Sequence, residues 1–173
     1  LAPKEKLGYA NLGLTYLRMS RFDDAEKELM KGLKIDPEDS DIRLILATVY
    51  RMNNQNDKAV EQLKTALNST PGHVKVLFEL TEIYDAIPGD ESQSFRKEYL
   101  VKLAEKAPAN IVPQLNLTEI LIRQGNSDEA IARLESMQKQ FPDFPKESLE
   151  FFNKTIDLLK RGDHENAVVQ FTI

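Results

Sequence analysis

The chain has 173 residues, 41% hydrophobic and 29% charged, the balance of a folded protein rather than a disordered one. Its 28 acidic against 23 basic side chains leave a net charge of −5, so no general positive field draws in a nucleic-acid backbone. No apolar run approaches the roughly 18 residues of a membrane span, and the absence of Cys excludes disulfides, thiolate metal sites and a Cys nucleophile. The opening Leu1-Ala2-Pro3-Lys4 has neither an initiating Met nor the apolar core of a signal peptide, which points to a processed or excised segment of a longer chain.

The first predicted element, a helix over 5–18, carries two apolar stripes. Leu7, Ala10, Leu14 and Leu17 form one, and Tyr9, Leu12, Gly13 and Tyr16 form the other, so this helix is expected to be sandwiched between neighbours. The second, over 22–35, begins with Asp23-Asp24, which suits the positive end of the helix dipole, and stops before Asp36-Pro37. Further helices are predicted over 39–52, 56–68, 73–86, 92–106, 110–123, 127–140, 146–161 and 164–173. Short connections make consecutive helices antiparallel pairs.

Pro37, Pro71, Pro108 and Pro142 close successive pairs at separations of 34, 37 and 34 residues. Aligned on them, Ala25, Ala59 and Ala130 coincide, as do Leu29, Leu63, Leu100 and Leu134. Upstream, Leu12-Gly13 and Tyr16 fall on Leu46-Ala47 and Tyr50, Leu80-Thr81 and Tyr84, and Leu117-Thr118 and Leu121. Small residues at Gly13 and Ala25 let paired backbones approach, while Tyr16 and Leu29 fill the space beside them.

Tyr9, Leu12, Gly13, Tyr16, Ala25, Leu29 and Pro37 match the signature of the tetratricopeptide repeat, and the chain resembles that family over nearly its whole length. Repeats are expected over about 6–39, 40–73, 74–110 and 111–144, with a partial one over 148–173, as a single repeat domain. The resemblance implies an all-α fold, a right-handed α-α superhelix (solenoid) of about four and a half to five tetratricopeptide-type helix pairs whose first helices line a concave groove. Three departures predict looser or shifted packing: Arg96 stands where the small Ala belongs, and Gln114 and Leu121 replace aromatics.

His73 and His164 each sit beside a helix start and read as surface or capping residues. Gly125 and Gly162 read as helix-ending turns, with Asn53-Asn54 at the equivalent place. Pro88-Gly89-Asp90-Glu91-Ser92 holds the three extra residues of the third repeat and reads as an irregular acidic loop. Asn68, Asn116 and Asn153 open Asn-x-Ser/Thr triplets, but the last two fall within predicted helices. No acid, base and nucleophile set can be placed together, and no phosphate-binding glycine pattern occurs, so neither catalysis nor a cofactor or metal is expected.

The family resemblance implies that first-helix positions 2, 5, 9, 12 and 13 of each repeat face the groove. The peptide-binding residues it assigns here include Leu14, Leu17 and Arg18, then Leu44, Thr48 and Arg51, then Phe78 and Glu82, and finally Leu115, Glu119 and Ile122. Chaperone-binding members grip a terminal carboxylate with a Lys and an Asn at positions held here by Ala10 and Leu14, so that clamp is missing. The expected function is a protein–protein interaction scaffold taking an apolar peptide or helix in the groove. The alternative is a structural or self-assembly arm of a longer, even enzymatic, polypeptide. The closing segment, with Ala167, Val168, Val169, Phe171 and Ile173, adds an expectation of self-association through the C-terminal end.

Overall fold

The computed structural model describes residues 2–171. Among them are ten α-helices and no strand: α1 (Ala2–Arg18), α2 (Phe22–Ile35), α3 (Ser40–Met52), α4 (Asn56–Ser69), α5 (Val74–Ala86), α6 (Asp90–Lys106), α7 (Ile111–Arg123), α8 (Ser127–Gln140), α9 (Lys146–Lys160) and α10 (His164–Phe171). Consecutive helices pack as pairs, and the contacts divide the chain into two compact units, 1–106 and 107–173. In the first, α1 lies on α2 and α3, and α3 on α4 and α5. Its core joins Leu29, Leu46, Leu63, Leu77 and Leu80. The second unit is built on Leu121, Leu134, Met137, Phe152 and Leu159. Ile173, part of the expected C-terminal apolar set, lies outside the described residues; within that set Phe171 is buried and Val169 is exposed.

One position shows how the pairs close. A Cβ on Gly13 would come within 2.5 Å of Leu29 Cγ, so α1 and α2 meet at that point without room for a side chain. The equivalent residues are Ala47, Thr81, Thr118 and Thr155, all buried. Each threonine hydroxyl donates to a carbonyl of its own helix, Phe78 at 2.7 Å, Gln114 at 2.8 Å and Phe151 at 3.0 Å, which satisfies the buried oxygen locally.

The turn inside each pair repeats as well. Ser20, Asn54, Gly125 and Gly162 occupy one repeat position and are all left-handed, with φ of 56°, 57°, 74° and 73°. The residue after each donates its N–H five residues back, Arg21 to Tyr16, Gln55 to Tyr50, Asn126 to Leu121 and Asp163 to Leu158, over 2.8 to 3.0 Å. With the shorter bonds from the left-handed residues themselves, this is the Schellman arrangement, which satisfies the last carbonyls of the first helix. Non-glycine residues pay a steric penalty there. Ser20→Gly is therefore expected to raise stability by up to about 1 kcal/mol in urea denaturation, and a loss would show that the turn is not limited by backbone strain.

The third repeat differs. Ile87 is extended (φ −96°, ψ 117°), as a residue before Pro88 prefers, and the positive φ passes to Gly89 (φ 118°), one residue beyond its place in the other repeats. The expected acidic loop over 88–92 is not one: α6 begins at Asp90, so the extra residues form an added first turn. Asp90 and Glu91 favour this because carboxylates suit a helix N-terminus. Arg96, at the position where Ala25, Ala59 and Ala130 are wholly buried, places its guanidinium 3.1 Å from Asp85 on α5. The looser packing expected at Gln114 and Leu121 shows in the helix pair itself, where α7 meets α8 over a much smaller area of contact than α1 with α2 or α3 with α4. Leu121 is buried, and Gln114 accepts from Arg133 at 3.3 Å. In the second repeat the same two positions hold Arg43 and Gln62, bonded at 2.7 Å with the roles exchanged.

Entry to the first helices is capped at matching positions. Asp39, His73 and Asn110 accept from the N–H groups of Ile42, Val76 and Val112. At the start of the array, Lys6 of α1 spans Asp36 and Asp39, 2.7 Å from each, tying the N-terminal part of α1 to the far end of α2. The Lys6 hydrogen bond holds the Asp36 carboxyl below the usual carboxylate range. A depressed folded pKa gives stability that is present above the unfolded value, about pH 4, and is lost as pH falls through the folded one. The carboxyl-carbon titration of Asp36 by NMR should show a lower midpoint in the native chain than in Lys6→Met; coincident midpoints would remove the ion pair from the account.

Candidate peptide-binding surface

The first helices bury the side on which they meet their second helices, and what remains on their other side differs from repeat to repeat. On α1, Ala10 and Leu17 are buried and Leu14 half-buried against the core, while Leu7 (61% exposed) and Arg18 are open. On α3, Leu44 packs partly on the core, and Thr48 is half-buried with its hydroxyl donating to Leu44 O at 3.0 Å. Arg51 is exposed, its Nε 3.2 Å from Glu79 on α5, and Met52 is 50% exposed. On α5, Phe78 is 40% exposed with Glu82 open one turn on. The first unit thus carries Leu7, Met52 and Phe78 as open apolar groups among Leu14 and Leu44, with Arg18, Arg51 and Glu82 as the charges.

The second unit offers a smaller surface on α7. Val112 is open and Leu115 half-buried. Glu119 accepts from Arg123 at 2.9 Å along the same helix. Ile122, only 1% exposed, belongs to the core, because α10 packs against α7. Its side chain, like that of Leu17, contributes packing. The Arg51–Glu79 bridge escaped sequence reading. Its signal was an Arg ending one first helix and a Glu in the middle of the next, a pairing that only the stacking of α3 on α5 creates. Among the described residues no group of three His, Asp or Glu side chains could hold a metal ion, and no helix is long and apolar enough to cross a membrane.

A model of the tetratricopeptide repeat matches residues 16–77 and 97–146. The chain belongs to the tetratricopeptide repeat family. The type IV pilus assembly protein PilF of Pseudomonas aeruginosa is 35% identical over 69 residues, which are 40% of this chain and 27% of that protein. The match therefore spans about a quarter of that relative's length. Among solved structures, a crystal structure of MamA superposes with a TM-score of 0.69 at 20% identity, covering 98% of this chain and 89% of that one. The P. aeruginosa PilF structure gives 0.63 at 21%, over 98% and 74%. The first tetratricopeptide domain of Spaghetti (RPAP3), bound to the HSP90 peptide SRMEEVD, gives 0.59 at 18%, over 66% and 88%. At such identities the likeness is one of fold; it is the tetratricopeptide family, shown by the repeat model, that is one of protein–protein interaction scaffolds. Of the two tetratricopeptide clamp positions, Ala10 is buried and Leu14 half-buried, and neither offers a polar group to a carboxylate.

Proposed function

We propose that this tetratricopeptide chain is a scaffold whose first helices receive an apolar peptide or helix from a partner protein, with Arg18, Arg51 and Glu82 as polar edges in the first unit and Glu119 beside Leu115 in the second. The observation that carries the reading is Phe78, an aromatic side chain 40% exposed on a helix whose opposite face is completely buried. First helices that keep Leu7, Met52 and Phe78 open hold apolar surface of the kind that marks interaction sites. Covering each of these, about half exposed, is worth on the order of 1 kcal/mol. A partner's terminal carboxylate adds nothing, because Ala10 and Leu14 stand at the gripping positions.

Random peptides displayed on phage and selected on the chain should converge on apolar sequences whose binding is lost in Phe78→Glu. Calorimetry on one such peptide as free acid and as amide should give equal affinities. A marked preference for the free acid, or selected peptides indifferent to Phe78→Glu, would overturn the proposal.

A further inference from the structure

The outer side of the first unit holds a second feature, between α4 and α6. A cleft of about 650 Å³ there is lined by Lys64, Leu67, Asn68, Pro71, Tyr99 and Lys102. It exists because the third repeat breaks the pattern of its neighbours. Where the second and fourth repeats join their helices with an Arg–Gln bond, the third has Leu77 and Tyr99, both buried. Tyr99 instead stacks on Tyr84 at 5.9 Å, and Phe95, one turn earlier on α6, lies 5.2 Å from Tyr84. This aromatic wall carries the cations. Lys64 Nζ is 4.9 Å from the Phe95 centroid and 5.9 Å from that of Tyr84, and Lys102 Nζ lies 5.2 Å from the Tyr99 centroid. The stem of Lys106 runs past Gly72, next to Pro71 at the rim.

We propose that this cleft binds an extended acidic segment of a partner protein, its carboxylates on Lys64 and Lys102 and an apolar side chain on Leu67 and Tyr99. Charge complementarity fixes the occupant. Two ammonium groups, those of Lys64 and Lys102, line one cleft of a chain whose net charge is −5, so the attraction is local and suits a few carboxylates rather than a long polyanion. The apolar floor rewards a side chain that phosphate backbones lack. Asn68 at the end of the cleft can donate to or accept from a peptide group. Glu98 already occupies part of this field, 2.5 Å from Lys102, and acts as an internal competitor for that ammonium.

The test is fluorescence anisotropy at low salt with a labelled peptide of alternating Glu and Leu, its Gln–Leu counterpart, and an oligothymidylate, on the whole chain. The Glu–Leu peptide should bind about tenfold or more tighter than the Gln–Leu peptide. The pair Lys64→Glu and Lys102→Glu should abolish that difference. Glu98→Gln, which releases Lys102, should tighten binding, a gain that no folding defect can imitate. Phe78→Glu should leave the affinity unchanged, which separates this cleft from the first-helix surface. Equal binding of the two peptides, tighter binding of the oligothymidylate, or loss of binding in Phe78→Glu would each overturn the proposal.

Discussion

Ala59→Arg is expected to cost about 3–5 kcal/mol, the range for a buried charge left without a partner. Folding free energies total only about 5–15 kcal/mol, so this one change should leave the first unit near or past its midpoint without denaturant. Ala59 is fully buried where α4 meets α3. The same position in the third repeat is Arg96, which is tolerated because Asp85 lies 3.1 Å away to receive it. The residue of the second repeat that stands where Asp85 does is Arg51, so a guanidinium introduced at position 59 would be directed toward another cation. Urea titration followed by helical circular dichroism measures the loss. Adding Arg51→Asp to the variant should restore a good part of it. A loss below about 1 kcal/mol would mean that the site relaxes as freely as an exposed one.

Phe152→Ala should remove about 3–5 kcal/mol from the second unit, by lost transfer energy plus the cavity left behind. Phe152 is buried, meets Phe144 edge-on at 5.4 Å and lies 5.9 Å from Phe151, which in turn is 5.5 Å from Phe171. Deleting the shared ring breaks two aromatic contacts and unseats the one that anchors α10. Amide hydrogen exchange should therefore quicken throughout α9 and α10, beyond the substituted turn. Phe78→Ala supplies the contrast, since its ring is 40% exposed and its removal should cost only about 1 kcal/mol. Similar losses for the two would contradict the division between packing and presented residues.

The helix pairs were legible because each repeat solves the same packing problem with the same residue sizes. Gly13, Ala25, Leu29 and Pro37 recur in kind every 34 residues or so, and their spacing announces the fold. Gly125 and Gly162 announced their turns, since few other residues accept positive φ. The added turn of α6 was readable in principle from Asp90-Glu91 after Gly89, but acidic residues beside Pro-Gly also suit a loop. The Arg43–Gln62 and Gln114–Arg133 pairs were not legible, because each side chain alone is merely polar and its partner lies 19 residues away across a turn. Exposure along the first helices was the least readable property. Ile122 and Phe78 are both assigned to the groove by repeat position, yet one is sealed by α10 and the other open, and only the neighbouring helix decides which.

The left-handed turns have a consequence for how such a chain can change over time. Main-chain bonds close four of the five hairpins, and they ask of the sequence only one residue that tolerates positive φ. Side chains on the outward-facing helix surfaces are thereby relieved of holding the bend, and drift or selection can rewrite them without moving the backbone. The third repeat, where the bend is made by Pro88 and a lengthened α6, lacks that freedom: there Arg96 with Asp85, and Tyr84 with Phe95 and Tyr99, must change together or not at all.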